Sequence, residues 1–435
     1  MLLDTLSNIP QEIFKFFTYE ADRIGKETGF QKRRSKLTPS VFIKSLITLC
    51  FSEHFNLELF CGLVKTQKVY IKKQSLHERF NERTAGFLKA FSLFCLKHFQ
   101  MKKLPQLQGL EQFSSLNIID SSTISLHQAL NELFKGSGGA ASSSAMKIQM
   151  MFDYLGGQIK ELTLTSGCDN DQGFDNYFNT IEKGALYLMD LGYFKLNTFK
   201  KIMEENAFFI SRLLTGTKLL TQDKKPFDLL VTLENAAPFF SQQVLMGATH
   251  KIPVRLVAQR LPPVIAEQRR RRLIKDHRRR GSTPNQESLA LQSWSIYITN
   301  TSETQINNKA IHQTYALRWQ VELLFKLSKS LMHIDSIKTK KFARVIIETY
   351  GKFIAMMLLF LLCNPMRNIE GKQLSFYKAC HQLSSKATGL IIALMSPYRL
   401  KHFLNDFYEN LSLFAIKDSK KKPLLTFDFC EGECF

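Results

Sequence analysis

Long hydrophobic runs are scarce in this sequence of 435 residues. The longest uninterrupted apolar run, Phe353 to Cys363, is too short to span a bilayer and is typical of a buried helix. Met1-Leu-Leu is followed at once by Asp4 and mixed polarity, so the sequence predicts no signal peptide. We therefore expect a cytoplasmic protein with no membrane partner.

Cysteines in metal-binding pairs are also lacking. Cys430 and Cys434 have no second pair of ligands near them in the sequence, so we expect no zinc site there. The eight cysteines lie mostly scattered in apolar runs, which is typical of reduced thiols in the cytoplasm. They are Cys50, Cys61, Cys95, Cys168, Cys363, Cys380, Cys430 and Cys434.

Acidic residues are few relative to basic ones. Lys and Arg number 59 and Asp and Glu number 38, which leaves a formal net charge of +21. Such an excess suits a polyanionic partner, and each neutralised phosphate should steepen the salt dependence of binding. A hydrophobic content of 44% at this length predicts a large core and several structural parts.

The most informative segment is a run of polar residues with helical spacing. Tyr315, Arg318, Glu322 and Lys329 are three, four and seven residues apart and fall within about a 60° arc of one helix. Any single pair on such a stripe could be an incidental ion pair on a solvated face. The remaining circumference is mostly apolar, which predicts burial, and buried charges need partners or a metal. Its apolar members are Val321, Leu323, Leu324, Phe325 and Leu327.

Two aspartates upstream each follow a short apolar run. Asp120 follows residues 116–119, and Asp190 follows residues 185–189. Such runs are typical of strands buried on both faces, and ligands gather at the carboxyl ends of such strands. The alternative for each aspartate is a turn former or a helix N-cap.

The segments around these aspartates predict a mixed sheet. Residues 148–154 alternate with period two as a half-buried strand, and residues 161–165 form its hairpin partner after a Gly-Gly turn. A polar loop and a helix are expected before Asp190. A helical stretch and a strand at Ala207–Leu213 are expected after it.

These patterns together resemble one group of bacterial insertion-sequence transposases. The shared features are the spacing Tyr-x2-Arg-x3-Glu-x6-Lys, Trp319 directly after the arginine, Asp120-Ser-Ser-Thr and Asp190-Leu-Gly-Tyr. The resemblance implies an α/β fold: a ribonuclease-H-like core with a mixed five-stranded sheet, interrupted by a mostly β insertion, with a helical N-terminal domain and a helical C-terminal region. It spans roughly residues 116–329. Many relatives have His where Asn170 precedes Asp171, a departure outside the catalytic triad.

The resemblance also implies the chemistry. Asp120, Asp190 and Glu322 would form the Asp-Asp-Glu triad and hold two Mg²⁺ ions, with Mn²⁺ as a substitute. Phosphoryl transfer in DNA needs charge stabilisation on the attacking and leaving oxygens, which two divalent ions supply. We assign Asp120 as the bridging ligand, with one ion on each of the other two acids. Tyr315, Arg318 and Lys329 would contact phosphates near the scissile bond.

A long segment between the second and third acids matches the insertion. Strands are expected at Leu229–Leu233, Pro253–Ala258 and Trp294–Asn300. Residues 267–280 contain seven arginines and are expected either as a solvated basic helix or against the DNA backbone. By resemblance, Trp294 is a candidate for stacking on a flipped base, although a packed aromatic at a strand start is the alternative.

Both ends of the chain are expected to be helical. Thr38-Pro39 predicts the start of a helix over 41–51, and Ser75 with Glu78 predicts a capping box before a helix. The resulting domains are 1–110, a helical domain that binds transposon ends; 111–213 and 301–364, the two parts of the catalytic core; 214–300, the insertion; and 365–435, a C-terminal interaction region. The alternative for the first domain is a helical interaction module.

The predicted function is metal-dependent cleavage and strand transfer in cut-and-paste transposition. Water would nick the transposon end, and the freed 3′-hydroxyl would attack the other strand or target DNA. Partners would be the double-stranded transposon ends, target DNA and a second subunit, as a homodimer in the synaptic complex. Two alternatives remain: a ribonuclease-H-fold DNA nuclease, and a catalytically silent DNA-binding protein derived from a transposase.

Overall fold

Nine strands of the chain form one mixed sheet, in the order β3-β2-β1-β4-β5-β9-β8-β7-β6. The computed structural model describes residues 8–52, 55–99, 109–138, 142–366, 368–369 and 372–417. The strands are β1 Leu116–Ser125, β2 Ala145–Asp153, β3 Gln158–Ser166, β4 Leu186–Met189, β5 Phe208–Arg212, β6 Leu219–Leu220, β7 Phe239–Met246, β8 Ile252–Arg260 and β9 Trp294–Thr299. A separate two-stranded sheet pairs β10 Asn368–Ile369 with β11 Lys372–Gln373.

The first five strands have the predicted connectivity. β2 lies antiparallel between β1 and β3, whereas β4 lies parallel to both β1 and β5. The alternation in 148–154 correctly predicted the strand β2, but the expected half-burial was wrong. Every residue of β2 is buried because helices cover one face and aromatic side chains of the segment before β4 cover the other.

The sheet is larger than the five strands expected. β9 pairs antiparallel with β5 through Ile210–Arg212, and β8, β7 and β6 follow in antiparallel order. The insertion therefore continues the core sheet instead of forming a separate one. The expected strands in 253–258 and 294–300 are confirmed as β8 and β9.

Two local predictions within the catalytic half are wrong. Leu229–Leu233 is not a strand but lies in a short helix, Leu229–Glu234, because the Asp228 carboxylate accepts the Val231 N–H at 3.0 Å and starts a helical turn. The helix expected before Asp190 is replaced by two single 3₁₀ turns, Asp171–Gly173 and Asn176–Phe178.

The helices of the first hundred residues and of the C-terminal part pack into one unit, which we call the helical body. Its helices are α1 Ile9–Lys15, continued by a π-helical stretch Phe16–Glu20 into α2 Ala21–Glu27, α3 Pro39–Cys50, α4 Leu57–Thr66, α5 Lys73–Glu78, α6 Glu82–His98, α13 Phe342–Cys363, α14 Phe376–Ser385, α15 Ala387–Ala393 and α16 Pro397–Phe414. The remaining helices are α7 Leu196–Glu204, α8 Leu229–Glu234, α9 Pro263–Arg279, α10 Gln286–Leu291, α11 Asn308–Ala316 and α12 Trp319–Ser330.

Two capping predictions in the helical body have opposite outcomes. The Thr38 hydroxyl accepts the Val41 N–H at 3.3 Å at the start of α3, as predicted. The capping box at Ser75 is wrong because α5 already begins at Lys73, and the long helix α6 is capped instead by the Asn81 side chain.

The helical body is built around α13. This helix packs against α3 and α6 from the N-terminal side and against α14 from the C-terminal side. In the described part of the chain, it is the one helix long and apolar enough to cross a membrane by length and composition. Nearly all of its apolar stretch is buried by neighbouring helices, as predicted for residues 353–363. Phe360 on α13 contacts Phe152 of β2, so the helical body also packs on the sheet.

Candidate active site

The two predicted aspartates lie side by side at the carboxyl ends of parallel strands. Ile119 of β1 pairs with Met189, the last residue of β4, so Asp120 and Asp190 occupy the next positions of neighbouring strands. β1 continues beyond Asp120 along β2 only, which leaves the acid at the point where the sheet opens. The side chains of Asp120 and Asp190 are 19% and 36% exposed, so both are accessible from solvent.

The third acid comes from α12, which packs against β1. Glu322 lies in the first turn of that helix and its side chain is 28% exposed. The predicted single helix is broken, however. α11 ends at Ala316 and α12 begins at Trp319, so Tyr315 and Glu322 belong to different helices.

Arg318, at the break, joins two of the three acids. Its two terminal nitrogens donate to Asp120 Oδ2 at 3.3 Å and to Glu322 Oε1 at 2.6 Å. The remaining acid, Asp190, has its own arginine, since Arg212 at the end of β5 donates to Asp190 Oδ1 at 3.1 Å. We call these three acids and two arginines the acidic edge.

Electrostatics at the acidic edge favour a cation. The pKa of Asp120 is raised to about 6, chiefly by burial and also by the negative charges of Glu322 and Asp190. The Ser121 N–H and the Arg318 guanidinium act in the opposite direction. Three carboxylates are thus held against their mutual repulsion by two arginines.

The other residues predicted to contact DNA differ in accessibility. Tyr315 is buried, and its hydroxyl donates to the Met189 carbonyl at 3.2 Å, so it fixes the end of the strand that precedes Asp190. Burial raises the pKa of Tyr315 to about 12. Lys329 is half-buried and its ammonium lies 3.5 Å from the Thr123 carbonyl.

Trp294 lies at the start of β9 and is buried. The Arg260 guanidinium lies 4.8 Å from its ring centroid, a cation–π contact that covers the ring. The same tryptophan lines a cleft of about 1000 Å³ whose wall includes Arg212, Arg269 and Leu191, the residue after Asp190. The cleft therefore opens beside the acidic edge and carries positive charge.

The acids suit a hard divalent cation but do not close on one point. Among the residues that the structure describes, no three Asp, Glu, His or Cys side chains stand close enough together to hold an ion. The reason is visible in the contacts: Arg318 lies between Asp120 and Glu322 and pairs with both. The donor set consists of carboxylate oxygens, which Mg²⁺ prefers. The Arg318 guanidinium lies where such an ion would carry its positive charge, so the carboxylates fit the ion once Arg318 moves aside.

Comparison with known families identifies this arrangement. The sequence profile described as "Transposase DDE domain" matches residues 111–358, which include all three acids. The chain belongs to the DDE transposase family. It is therefore an enzyme of DNA transposition, from a family that acts on DNA and uses divalent metal ions.

Relatives of this transposase align over nearly its whole length. It is 25% identical to the transposase for insertion sequence element IS231F of Bacillus thuringiensis subsp. israelensis, with 98% of this chain and 95% of the relative covered. It is 26% identical to the transposase for insertion sequence element IS1151 of Clostridium perfringens, with 94% and 92% covered. The similarity therefore extends over the helical body as well as the sheet.

Two residues of the transposase site were missed by sequence reasoning. Arg212 follows Ser211, which pairs with Met189, so the parallel register places it beside Asp190. This position could have been predicted from the strand order. Asp171, in the loop after β3, accepts three hydrogen bonds from β1 and β2. The resemblance drew attention to this position only through Asn170, the residue before it.

Proposed function

We propose that this transposase catalyses metal-dependent cleavage and strand transfer at the ends of its insertion sequence, with Asp120, Asp190 and Glu322 as the acidic triad. The observation that carries the proposal is the convergence of three acids, from β1, the end of β4 and α12, around two arginines at one open edge of the sheet. The same geometry supports membership in the group with the Tyr-x2-Arg-x3-Glu-x6-Lys signature.

The acids would hold two Mg²⁺ ions, or Mn²⁺ as a substitute. Bound there, the ions would stabilise charge on the attacking and leaving oxygens of the phosphodiester. Asp120, in the middle of the group, is the residue best placed to serve both neighbours, because Arg318 links it to Glu322 and the β1–β4 register sets it beside Asp190.

Arg318 would exchange one set of anionic partners for another. In the free protein its fork contacts Asp120 and Glu322, and a DNA phosphate offers the same bidentate geometry. Transfer of the guanidinium to a phosphate would leave the carboxylates free for cations. Binding of DNA would therefore strengthen the binding of divalent ions at the acids.

The remaining proposed contacts differ in how directly they reach DNA. Lys329, half-buried on α12, is placed to meet a phosphate as a point charge. Tyr315 would act first through the end of β4, since its hydroxyl already bonds the Met189 carbonyl. Trp294 would have to leave Arg260 to stack on a base in the neighbouring cleft. The seven arginines of residues 267–280, mostly on α9, would contact the DNA backbone.

The domain roles follow the same proposal. The N-terminal helices would bind the transposon end, and the region from residue 365 would help to join two subunits in a synaptic homodimer. The divisions 1–110, 111–213, 214–300, 301–364 and 365–435 are retained as functional regions. A transposase of this kind would work in the cytoplasm, on the host nucleoid.

The decisive experiment is Mg²⁺-dependent cleavage of DNA that carries the flanking ends of the element itself, comparing wild type with Glu322→Gln. Wild type should cut at the element boundary and join the freed 3′ end to a target. The cleavage rate of the variant should be at least about 1000-fold lower than that of wild type, which corresponds to roughly 4 kcal/mol of transition-state stabilisation. Glu409→Gln, an exposed acid on α16, is the matched control and should cut normally.

The other outcomes discriminate the alternatives. Cutting by wild type without any strand joining would favour a ribonuclease-H-fold nuclease. Tight binding of the ends without cutting, in Mg²⁺ or Mn²⁺ and by both proteins, would contradict the proposal and favour a silent DNA-binding relative.

A further inference from the structure

A network of buried and half-buried polar side chains lies directly behind Asp120, on the other face of β1. Its centre is Asp171, in the 3₁₀ turn Asp171–Gly173 that follows β3. Asp171 Oδ1 accepts hydrogen bonds from Ser121 Oγ at 3.0 Å, Lys147 Nζ at 3.0 Å and Gln149 Nε2 at 3.1 Å. One carboxylate oxygen thus joins the loop to β1 and β2.

The first branch of this network leads to Asp120. Ser121, which donates its hydroxyl to Asp171, donates its backbone N–H to Asp120 Oδ1 at 2.8 Å. Side chains alternate between the faces of a strand, so Asp120 points towards Glu322 while Ser121 points back into the network. The position of Ser121 therefore determines where the Asp120 carboxylate is held.

The second branch leads to Asp190. Gln149 is fully buried, and its Oε1 accepts the hydroxyl of Tyr193 at 2.8 Å. Tyr193 ends the 3₁₀ turn Leu191–Tyr193 that Asp190 begins. Asp171 also approaches that turn directly, because a Cβ placed on Gly192 would lie 3.7 Å from Asp171 Oδ2. The two turns pack against each other.

Charge makes this network selective for an acid at position 171. The Lys147 side chain is 11% exposed, and its only carboxylate partner among the described ion pairs is Asp171. A buried lysine without a carboxylate is costly, and a half-satisfied polar network loses its geometry. A neutral residue at 171 would therefore loosen both branches at once.

We propose that Asp171 is a positioning residue that sets the distance between Asp120 and Asp190, and hence the affinity of the site for divalent ions. The inference rests on the proposed function, since it assigns Asp171 a role towards ions that the triad would hold. Asp171 itself faces away from Glu322 and would touch neither DNA nor metal.

The test measures Mn²⁺ binding to the full-length protein without DNA, by electron paramagnetic resonance, alongside cleavage kinetics. Removal of a side chain that orients a metal ligand by hydrogen bonding typically lowers metal affinity or activity by 10- to 100-fold. Asp171→Asn should weaken Mn²⁺ binding by about 10-fold and lower kcat for cleavage by a similar factor. The KM for transposon-end DNA should change by less than about two-fold, because the residue does not contact DNA.

The matched control is Asp175→Asn, the same change of charge in the same loop. Asp175 is 60% exposed, and its ion-pair partner among the described residues is Lys195, outside the network. The Mn²⁺ affinity of Asp175→Asn should therefore equal that of wild type. A second variant, Ser121→Ala, removes one hydroxyl and guards against a folding failure of Asp171→Asn. It should weaken Mn²⁺ binding in the same direction by about three-fold, and the double variant should lose no more than Asp171→Asn alone.

Failure of this inference differs from failure of the proposed function. If wild type binds Mn²⁺ through Asp120 and both Asp171→Asn and Ser121→Ala bind it equally well, Asp171 has no positioning role. A rise in KM for DNA with unchanged Mn²⁺ affinity would also overturn the inference. If wild type binds no Mn²⁺, or if Asp120→Asn binds it as wild type does, the triad assignment itself fails.

Discussion

The helical body and the acidic edge contain the same ion pair in different surroundings. Arg344 donates to Glu348 at 2.6 Å on α13, and Arg318 donates to Glu322 at 2.6 Å across the break before α12; both pairs are four residues apart. In the helical body Glu348 also has Lys352 nearby, so one acid meets two cations. At the acidic edge three acids share two arginines.

Under the proposed function, this difference separates a structural ion pair from a functional one. Glu348 lies within a core of aliphatic and Phe side chains, and its negative charge is balanced there, so no further cation is needed. The acidic edge retains an unbalanced negative charge at a solvent-accessible position. Such an imbalance costs stability, and sites that bind cations are expected to bear that cost.

The largest expected effect is a loss of stability from a substitution in the core of the helical body. Phe360 is 1% exposed on α13 and packs against Phe376 with ring centroids 4.9 Å apart. Phe360→Ala should reduce the free energy of unfolding by about 3–5 kcal/mol, since it leaves a cavity in a close-packed core. Urea denaturation measures this. Phe414→Ala, at a position that is 58% exposed, should cost less than about 0.5 kcal/mol, and equal losses would refute the proposed packing.

At the acidic edge, a substitution should have the opposite effect and increase the free energy of unfolding. Asp120→Asn should raise the free energy of unfolding by about 3 kcal/mol at pH 7.5 in EDTA, because it removes a buried charge whose pKa is raised to about 6 even beside Arg318. Cleavage activity should be lost at the same time.

The sign of the pH dependence follows from the raised pKa. The charged carboxylate is disfavoured in the folded state, so its cost is complete above pH 6 and declines as the pH falls through 6 towards the usual pKa near 4. Urea unfolding of wild type and Asp120→Asn should therefore converge near pH 4. A variant less stable than wild type at pH 7.5 would contradict this, and the exposed Asp223→Asn should match wild type throughout.

The paired arginines offer the sharpest comparison of the two regions. Arg318→Gln should tighten Mn²⁺ binding without DNA by about ten-fold, or 1.4 kcal/mol, because it removes a competing cation from the carboxylates. Isothermal titration calorimetry measures the affinity. Arg344→Gln makes the same change at the pair in the helical body and should leave Mn²⁺ affinity unchanged. Weaker Mn²⁺ binding by Arg318→Gln would show that the arginine favours ion binding at the carboxylates and does not compete with it.

The smallest effect concerns a helix cap far from the acids. Thr38→Ala should lower the free energy of unfolding by about 1 kcal/mol, since the Val41 N–H loses its acceptor. Thr38→Ser keeps the hydroxyl and should recover most of this loss. Both are compared with wild type by urea denaturation, and Mn²⁺ affinity should not change in either variant. A loss in Thr38→Ser equal to that in Thr38→Ala would rule out the cap.

The sequence correctly predicted those elements that depend on interactions between neighbouring residues. The apolar runs before Asp120 and Asp190 are strands, and the Thr38 cap begins a helix, because each depends on a few neighbouring residues. Leu229–Leu233 was misassigned since a short apolar run fits a helix or a strand equally well, and Asp228 decided between them.

Features that join distant residues were beyond such patterns. The pairing of β5 with β9 spans almost ninety residues, so nothing local indicated that the insertion would extend the sheet to nine strands. The break at Arg318 was hidden for a different reason. The backbone there stays close to helical angles, and the break consists of a short 3₁₀ stretch in which the Leu317 and Arg318 N–H groups donate to residues three positions back.

The central position of α13 has a consequence for how the chain is made. The N-terminal helices bury their apolar faces on a segment that begins roughly 240 residues after α6 ends. Ribosomes add about 5–20 residues per second, so those faces wait on the order of ten seconds or more for their partner. A messenger cut short before residue 342 would thus yield a chain whose N-terminal helices lack the α13 surface on which they pack.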